Sequence, residues 1–199
     1  AEDDGGHGDD IARRKAGYER TQARAIHEKG LLIVYTGPGK GKSTAAFGMA
    51  LRAIGHGMRV GVVQFIKGSQ DSAERTVLSR FENVEYQTVG DGFTWLTQNR
   101  DQDIATAERA WREAERMIGD PGYELVILDE LNAVLKYDYL DLGRVLDTFG
   151  KRRFGLHVVV TGRHAPQPLV ELADLVSEVR SVKHPYREQG VKAQRGIEF

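Results

Sequence analysis

The sequence predicts an α/β protein in which helices cover both faces of a mostly parallel central sheet. The segments 58–65, 123–130 and 156–161 are short and almost continuously apolar, which is typical of strands buried on both faces. Segments with helical spacing of apolar residues separate them, and strand–helix alternation favours parallel pairing. A glycine-rich turn also joins the first apolar strand directly to a helix.

The N-terminal region differs in composition from the rest of the chain. Residues 1–10 are acidic and rich in glycine, so we expect a disordered tail there, and they lack the features of a secretory signal. Residues 11–29 predict a helix with a thin apolar stripe. Two interpretations of this helix are open: a solvated helix packed loosely on the domain, or an arm that closes over an active site or a neighbouring subunit. Residues 30–199 are expected to form the main domain.

Glycines, prolines and changes in periodicity divide this domain into successive elements. Gly55 and Gly57 end the first helix, and residues 119–122 end the longest one. In chain order, we predict a strand from 31, a helix over 43–54, a strand over 58–65, a loop and short helix within 69–80, a strand over 84–89, a helix over 100–118, a strand over 123–130, a helix near 142–150, a strand over 156–161, a helix over 168–173 and a strand over 175–182.

The composition excludes several classes of function. The 199 residues are 40% hydrophobic and 29% charged, as in ordinary globular proteins. No apolar run reaches the ~18 residues of a membrane span, so no membrane association is expected. Cysteine is absent, which excludes disulfides and thiolate metal sites and fits a cytoplasmic location. The net charge of −1 gives no reason to expect nucleic-acid binding.

The glycine-rich turn predicts a phosphate-binding loop. Its residues, Thr36, Gly37, Pro38, Gly39, Lys40, Gly41, Lys42, Ser43 and Thr44, link a strand to a helix whose first N–H groups can bind an anion. Lys42 is placed to reach the phosphates, and the Ser43 hydroxyl is placed to bind Mg²⁺. The usual first glycine of the pattern is replaced by Thr36, so we expect a loop with a non-standard curl.

A carboxylate pair, Asp129 and Glu130, follows a buried strand. Ligands of open α/β sheets bind at the carboxyl ends of the strands, so this pair could meet the phosphate loop and complete a Mg²⁺ site with Ser43. The alternative is that these acidic residues only cap the next helix.

Three further residues carry open interpretations. Arg52 lies on the helix that Lys42 begins, and it is either a surface arginine or a contact to an anionic group. Phe93 and Trp95 lie in a short polar loop, where they either close the sheet edge or offer an apolar surface to a large planar ligand. We find no Ser/His/Asp arrangement, no zinc-type histidine pair and no glycosidase-type acidic pair in the sequence.

These motifs together resemble the P-loop type of cob(I)alamin (corrinoid) adenosyltransferase. The similarity runs in order from about Leu31 to Phe199, and the missing first glycine at Thr36 is a feature of that family. The matching segments are 36–48, 52–53, 55–57, 62–68, 92–95, 128–131, 137–140, 161–163 and 190–196.

The resemblance implies a RecA-like P-loop fold, a three-layer sandwich with an N-terminal helical arm. It also implies that Co(I) of a corrinoid attacks C5′ of ATP and releases triphosphate, with ATP held in the reverse sense on its loop. It assigns catalytic roles to Lys42, Arg52 and Glu130, metal roles to Ser43, Glu130 and Asp129, and the corrin contact to Phe93 and Trp95. A reduced flavoprotein donor and a homodimer are further implications.

Two other functions compete with this one. A phosphotransferase or ATPase would use the same loop conventionally and needs a positioned base or arginine. A nucleotide-dependent binding module would turn over no corrinoid. Since Co(I) is itself a nucleophile, the adenosyltransferase needs no general base. The sequence leaves open which corrinoid is used and whether the task is synthesis or salvage.

Overall fold

The computed structural model describes residues 5–66, 72–89 and 99–198. Phe93 and Trp95, as well as the predicted tail residues 1–4, lie outside these ranges. Within them no helix combines the length and apolarity needed to cross a membrane.

Six parallel strands form one sheet in the described part of the chain. Their order across the sheet is β3-β2-β4-β5-β1-β6, and every pairing is parallel, which confirms the predicted architecture. The strands are β1 (Leu32–Thr36), β2 (Val60–Gln64), β3 (Val84–Thr88), β4 (Leu125–Asp129), β5 (His157–Thr161) and β6 (Leu175–Glu178).

Helices connect the strands and cover both faces of the sheet. They are α1 (Gly5–Arg24), α2 (Lys42–Gly55), α3 (Ala73–Leu78), α4 (Arg100–Gly119), α5 (Leu131–Lys136), α6 (Leu142–Gly150), α7 (Gln167–Leu172) and α8 (Pro185–Gln189). The short helices α5 and α8 were not predicted. The helix α1 begins at Gly5 and ends at Arg24, whereas the sequence predicted a helix over residues 11–29.

Two apolar clusters form the core, one on each face of the sheet. Leu32 and Val34 of β1 face the larger cluster, whereas Ile33 faces the smaller one, as expected from the period of a strand. The larger cluster contains the buried face of α4, where Trp111 packs edge-on against Phe149 with the ring centroids 5.9 Å apart. The smaller cluster is covered mainly by α2. This core fixes the carboxyl ends of β1, β4 and β5 side by side.

Candidate active site

The phosphate loop lies between the end of β1 and the start of α2. Gly41 precedes α2 with φ 106°, and no side chain caps that helix. The first N–H groups of a helix have no intrahelical partner, so those of α2 remain available to an anion. The loop therefore has the backbone geometry of a phosphate site.

The residues that follow β6, Val179 and Arg180, explain the positions of the loop glycines. The Val179 N–H donates to the Thr36 carbonyl at 2.8 Å, and the Gly39 N–H donates to the Val179 carbonyl at 2.7 Å. A Cβ atom at Gly39 would lie 2.7 Å from backbone oxygens of Val179 and Arg180, and one at Gly37 would lie 2.6 Å from that of Val179. The loop is thus held against a neighbouring backbone that only glycine lets approach so closely.

Thr36 ends β1 and joins the loop to a second segment. Its Oγ1 accepts a hydrogen bond from the Ala165 N–H at 3.1 Å, which ties the loop to the turn after β5. The position that departs from the usual glycine pattern therefore carries a side chain with a defined structural contact.

A cavity of about 750 Å³ opens beside the loop. Gly39, Lys40, Gly41, Lys42, Ser43 and Thr44 all line it, whereas Thr36, Gly37 and Pro38 are not among its lining residues. Asp129 and Glu130 line the same cavity, so the two predicted halves of the site meet. The lining also includes Gln64, Arg163, His164, Lys136, Tyr137, Ile197 and Glu198.

Lys42 is buried at the base of this cavity. Its Nζ donates to the Gly39 carbonyl at 2.5 Å, and only 6% of the residue is exposed. Burial lowers the pKa of Lys42, while the nearby Glu130 carboxylate acts in the opposite direction. The side chain is thus a cation fixed to its own loop at the edge of the phosphate site.

Asp129 ends β4 and is almost fully buried. Its Oδ1 accepts from the Thr161 hydroxyl at 2.8 Å, and its Oδ2 accepts from Gln64 Nε2 at 3.4 Å. Burial raises the pKa of Asp129, and the neighbouring Ser43 side chain is the largest opposing influence. Asp129 thus lies at the carboxyl end of β4 and lines the same cavity as Ser43.

Glu130 follows in the left-handed conformation, with φ 61° and ψ 21°. It occupies the N-cap position of α5, yet its side chain makes no capping hydrogen bond and instead lines the cavity. The simple capping interpretation therefore does not describe Glu130. Burial raises its pKa, Asp129 acts in the same direction, and Lys42 opposes them.

The donor set of this site fits Mg²⁺. Among the described residues, no three His, Cys, Asp or Glu side chains form a metal cluster. Mg²⁺ bound with nucleotides, however, usually takes one or two protein oxygens and completes its shell with phosphates and water. The Ser43 hydroxyl and the carboxylates of Asp129 and Glu130 supply oxygens of that kind at the cavity wall.

Two arginines, Arg52 and Arg163, differ in their position relative to the cavity. Arg52 lies in the last turn of α2, ten residues and about 15 Å along the helix from Lys42, and it is not a lining residue of the cavity. Arg163 lines the cavity instead, and its charge affects the pKa of both Lys42 and Glu130. The structure thus places Arg163 at the cavity wall, and a phosphate contact by Arg52 stays a prediction.

Sequence reasoning assigned no role to Gln64, Thr161 and Arg163. The first two end strands β2 and β5, and Arg163 follows two residues after Thr161. The rule that ligands bind at the carboxyl ends of parallel strands could have identified all three, because each ends or follows a predicted apolar strand. The lining residues Ile197 and Glu198 gave no such signal.

A known protein family matches most of the chain, including every residue that lines this cavity. The sequence profile described as ATP:corrinoid adenosyltransferase BtuR/CobO/CobP matches residues 28–199. The chain belongs to the ATP:corrinoid adenosyltransferase family. The resemblance inferred from the motifs is thereby confirmed, as is the assignment to the transferase enzymes.

Relatives in this adenosyltransferase family match over most of their length. The corrinoid adenosyltransferase of Pseudomonas aeruginosa is 50% identical over 199 residues, which cover 100% of this chain and 98% of the relative. The corrinoid adenosyltransferases of Escherichia coli K12 and Salmonella typhimurium are each 49% identical over 177 residues, which cover 89% of both chains.

The fold is also similar to a solved recombinase structure. The crystal structure of the RadB recombinase superposes with a TM-score of 0.50 and 18% sequence identity, covering 79% of this chain and 78% of RadB. At that identity the likeness concerns the fold alone. It agrees with the expected RecA-like P-loop architecture.

Proposed function

We propose that this adenosyltransferase moves the 5′-deoxyadenosyl group of ATP to the cobalt of a reduced corrinoid. Co(I) attacks C5′, a Co–C bond forms, and the C5′–O bond breaks with its electron pair leaving on the triphosphate. Cobalt is thereby oxidised formally from Co(I) to Co(III). The observation that carries the proposal is that the family match over residues 28–199 includes the whole wall of a phosphate-type cavity.

The residues of the cavity suit the charge that develops in this reaction. Negative charge builds on the leaving triphosphate, and fixed cations and N–H groups stabilise it. The N–H groups of residues 40–44, the Lys42 ammonium and the Arg163 guanidinium would supply this stabilisation. The proposal includes ATP bound in the reverse sense, so that C5′ and not the γ-phosphorus faces the corrinoid.

Ser43 and Glu130 would hold Mg²⁺ at this site, with Asp129 acting through Ser43 or a water molecule. The ion, when bound, would neutralise part of the phosphate charge. The position of Ser43 beside Asp129 and Glu130 in the lining of one cavity supports this arrangement.

The remaining parts of the proposal come from the family resemblance. Phe93 and Trp95, which lie outside the described residues, would pack against the corrin and displace its lower axial ligand. A four-coordinate Co(II) is easier to reduce because no donor ligand must leave. We further propose a reduced flavoprotein as electron donor, a homodimer, and a cytoplasmic location.

Product analysis under anaerobic conditions tests the proposed reaction. The protein is incubated with ATP, Mg²⁺ and chemically reduced cobalamin while the corrin spectrum is recorded. We expect a light-sensitive Co–C product and one intact triphosphate for each corrinoid consumed, and Lys42→Ala should abolish both. If ADP and phosphate form instead, or if no Co–C product appears, the proposed reaction is wrong.

A further inference from the structure

One buried hydroxyl contacts both acidic residues of the site. Thr161 ends β5 and is fully buried. Its Oγ1 donates to Asp129 Oδ1 at 2.8 Å and accepts from the Glu130 N–H at 2.9 Å. A hydroxyl has one hydrogen and two lone pairs, so the bond to Asp129 uses the hydrogen and the bond from Glu130 uses a lone pair.

These two bonds fix different properties of the site. The bond to Asp129 sets the rotation of its carboxylate, and Gln64 Nε2 approaches the other oxygen at 3.4 Å. The bond from Glu130 holds a backbone in the left-handed conformation, with φ 61°, which a residue with a side chain adopts only when its surroundings require it. That backbone turn directs the Glu130 side chain to the cavity wall.

The turn at Gly162, directly after Thr161, also contacts the start of α5. Gly162 has φ 127°, and a Cβ atom there would lie 2.9 Å from Asn132 Cβ and 3.3 Å from Glu130 Oε2. Asn132 Nδ2 donates to the Gly162 carbonyl at 2.9 Å. The start of α5 is therefore in close contact with the end of β5 at both Thr161 and Gly162.

We propose that Thr161 is a positioning residue, whose hydroxyl orients Asp129 and Glu130 for binding of Mg²⁺ with ATP. Thr161 lines no part of the described cavity wall, so it acts through its two neighbours. This inference rests on the proposed metal site. Partners of metal-binding side chains commonly change metal affinity by about 10- to 100-fold when they are substituted.

The test compares Thr161→Val, which keeps the shape and removes the hydroxyl, with Thr161→Ser, which keeps the hydroxyl. Calorimetry measures ATP binding in Mg²⁺ and in EDTA, without corrinoid. We expect Thr161→Val to reduce the Mg²⁺-dependent gain in ATP affinity by about 10-fold while EDTA values stay within about twofold of wild type. Thr161→Ser should retain the gain to within about threefold. A thermal melt of each variant reports folding separately.

Several outcomes would overturn the inference. They are an unchanged Mg²⁺-dependent gain in Thr161→Val, equal losses in Mg²⁺ and EDTA, or a serine variant as impaired as the valine variant. If Thr161→Val does not fold, Thr161→Cys replaces it, because a thiol is a weaker hydrogen-bond donor of similar size. Equal Mg²⁺-dependent gains in the cysteine and serine variants would then count against the positioning role. If wild type binds ATP equally with and without Mg²⁺, the proposed metal site itself fails and this inference with it.

Discussion

At the residue scale, the family resemblance and the structure point to different arginines at the phosphate site. Arg163 lines the cavity, whereas Arg52 lies at the far end of α2. We expect Arg163→Ala to raise the KM for ATP about 10-fold or more, as the loss of a charge-assisted hydrogen bond predicts. Arg52→Ala should leave that KM within about twofold. Steady-state kinetics with ATP varied at saturating reduced corrinoid measures both values, and the reverse ranking would restore Arg52 to the phosphate site.

His157 provides a residue-level prediction about stability and pH. Its Nδ1 accepts from the Leu31 N–H at 3.1 Å, which requires the neutral imidazole. Burial lowers the pKa of His157, and the Arg152 charge acts in the same direction. The unfolded chain therefore takes up the proton more readily. The stabilisation from this group is complete above the ordinary pKa of about 6.5 and decreases as the pH falls from there toward the lowered folded-state value.

Urea denaturation at pH 7.5 and 5.5 tests this assignment. His157→Asn keeps an acceptor at the same distance from the backbone but does not titrate in this range. We expect the variant to lie within about 1 kcal/mol of wild type at pH 7.5 and to lose less stability than wild type on acidification. Parallel losses in the two proteins would mean that other groups cause the pH dependence.

At the level of elements, the close contact between the phosphate loop and residues 179–180, which follow β6, favours glycine at position 39. Gly39→Ala would place a methyl group 2.7 Å from two backbone oxygens, so either the loop or residues 179–180 must move. We expect a loss of about 1–3 kcal/mol in the free energy of unfolding and weaker ATP binding.

Gly48→Ala is a matched control for this substitution. Gly48 is exposed on α2, and nothing lies within 4 Å of a Cβ atom there. Since glycine costs about 1 kcal/mol relative to alanine inside a helix, the control should increase stability by about that amount and leave ATP affinity unchanged. Urea titration and calorimetry measure both variants. Equal behaviour of the two alanine variants would show that the contact with β6 does not constrain the loop.

The same elements show how far the sequence could predict the structure. The strands and α4 were predictable because buried parallel strands and an amphipathic helix have strong periodicity, and the loop was predictable because its glycines follow a phosphate-binding pattern. The helix α5 was missed because the chain turns at Glu130 through a left-handed conformation that no local glycine announces. The approach of β6 to Gly39 depends on strand order, which local patterns do not encode.

The same limit explains the outcome for the site residues. Lys42, Ser43, Asp129 and Glu130 were predicted and meet in one cavity, since motifs at the ends of neighbouring parallel strands share one edge of the sheet. The position of Arg52 relative to the cavity could not be predicted, because spacing along a helix gives distance only after the direction of the helix axis is known. Thr161 was passed over because its contribution depends on hydrogen bonds to Asp129 and Glu130, which only the pairing of β4 with β5 brings about.

At the scale of the whole molecule, the C-terminal segment returns to the phosphate loop. Glu198 pairs with Lys40 across 158 positions of sequence, and Ile197 and Glu198 both line the cavity. This places a carboxylate where the proposed triphosphate would bind. Because a carboxylate and a phosphate carry the same sign of charge, we expect Glu198 to compete with ATP for Lys40.

Glu198→Gln is therefore expected to tighten ATP binding. An exposed ion pair contributes at most about 1 kcal/mol, so the gain should be about two- to fivefold and should diminish as salt screens the charges. Glu171→Gln makes the same change of net charge on α7, away from the cavity lining, and should leave the affinity unchanged. Calorimetric ATP titrations at low and high salt compare the three proteins. Weaker binding by Glu198→Gln would mean that the C-terminal carboxylate holds the ATP site together and does not compete with the nucleotide.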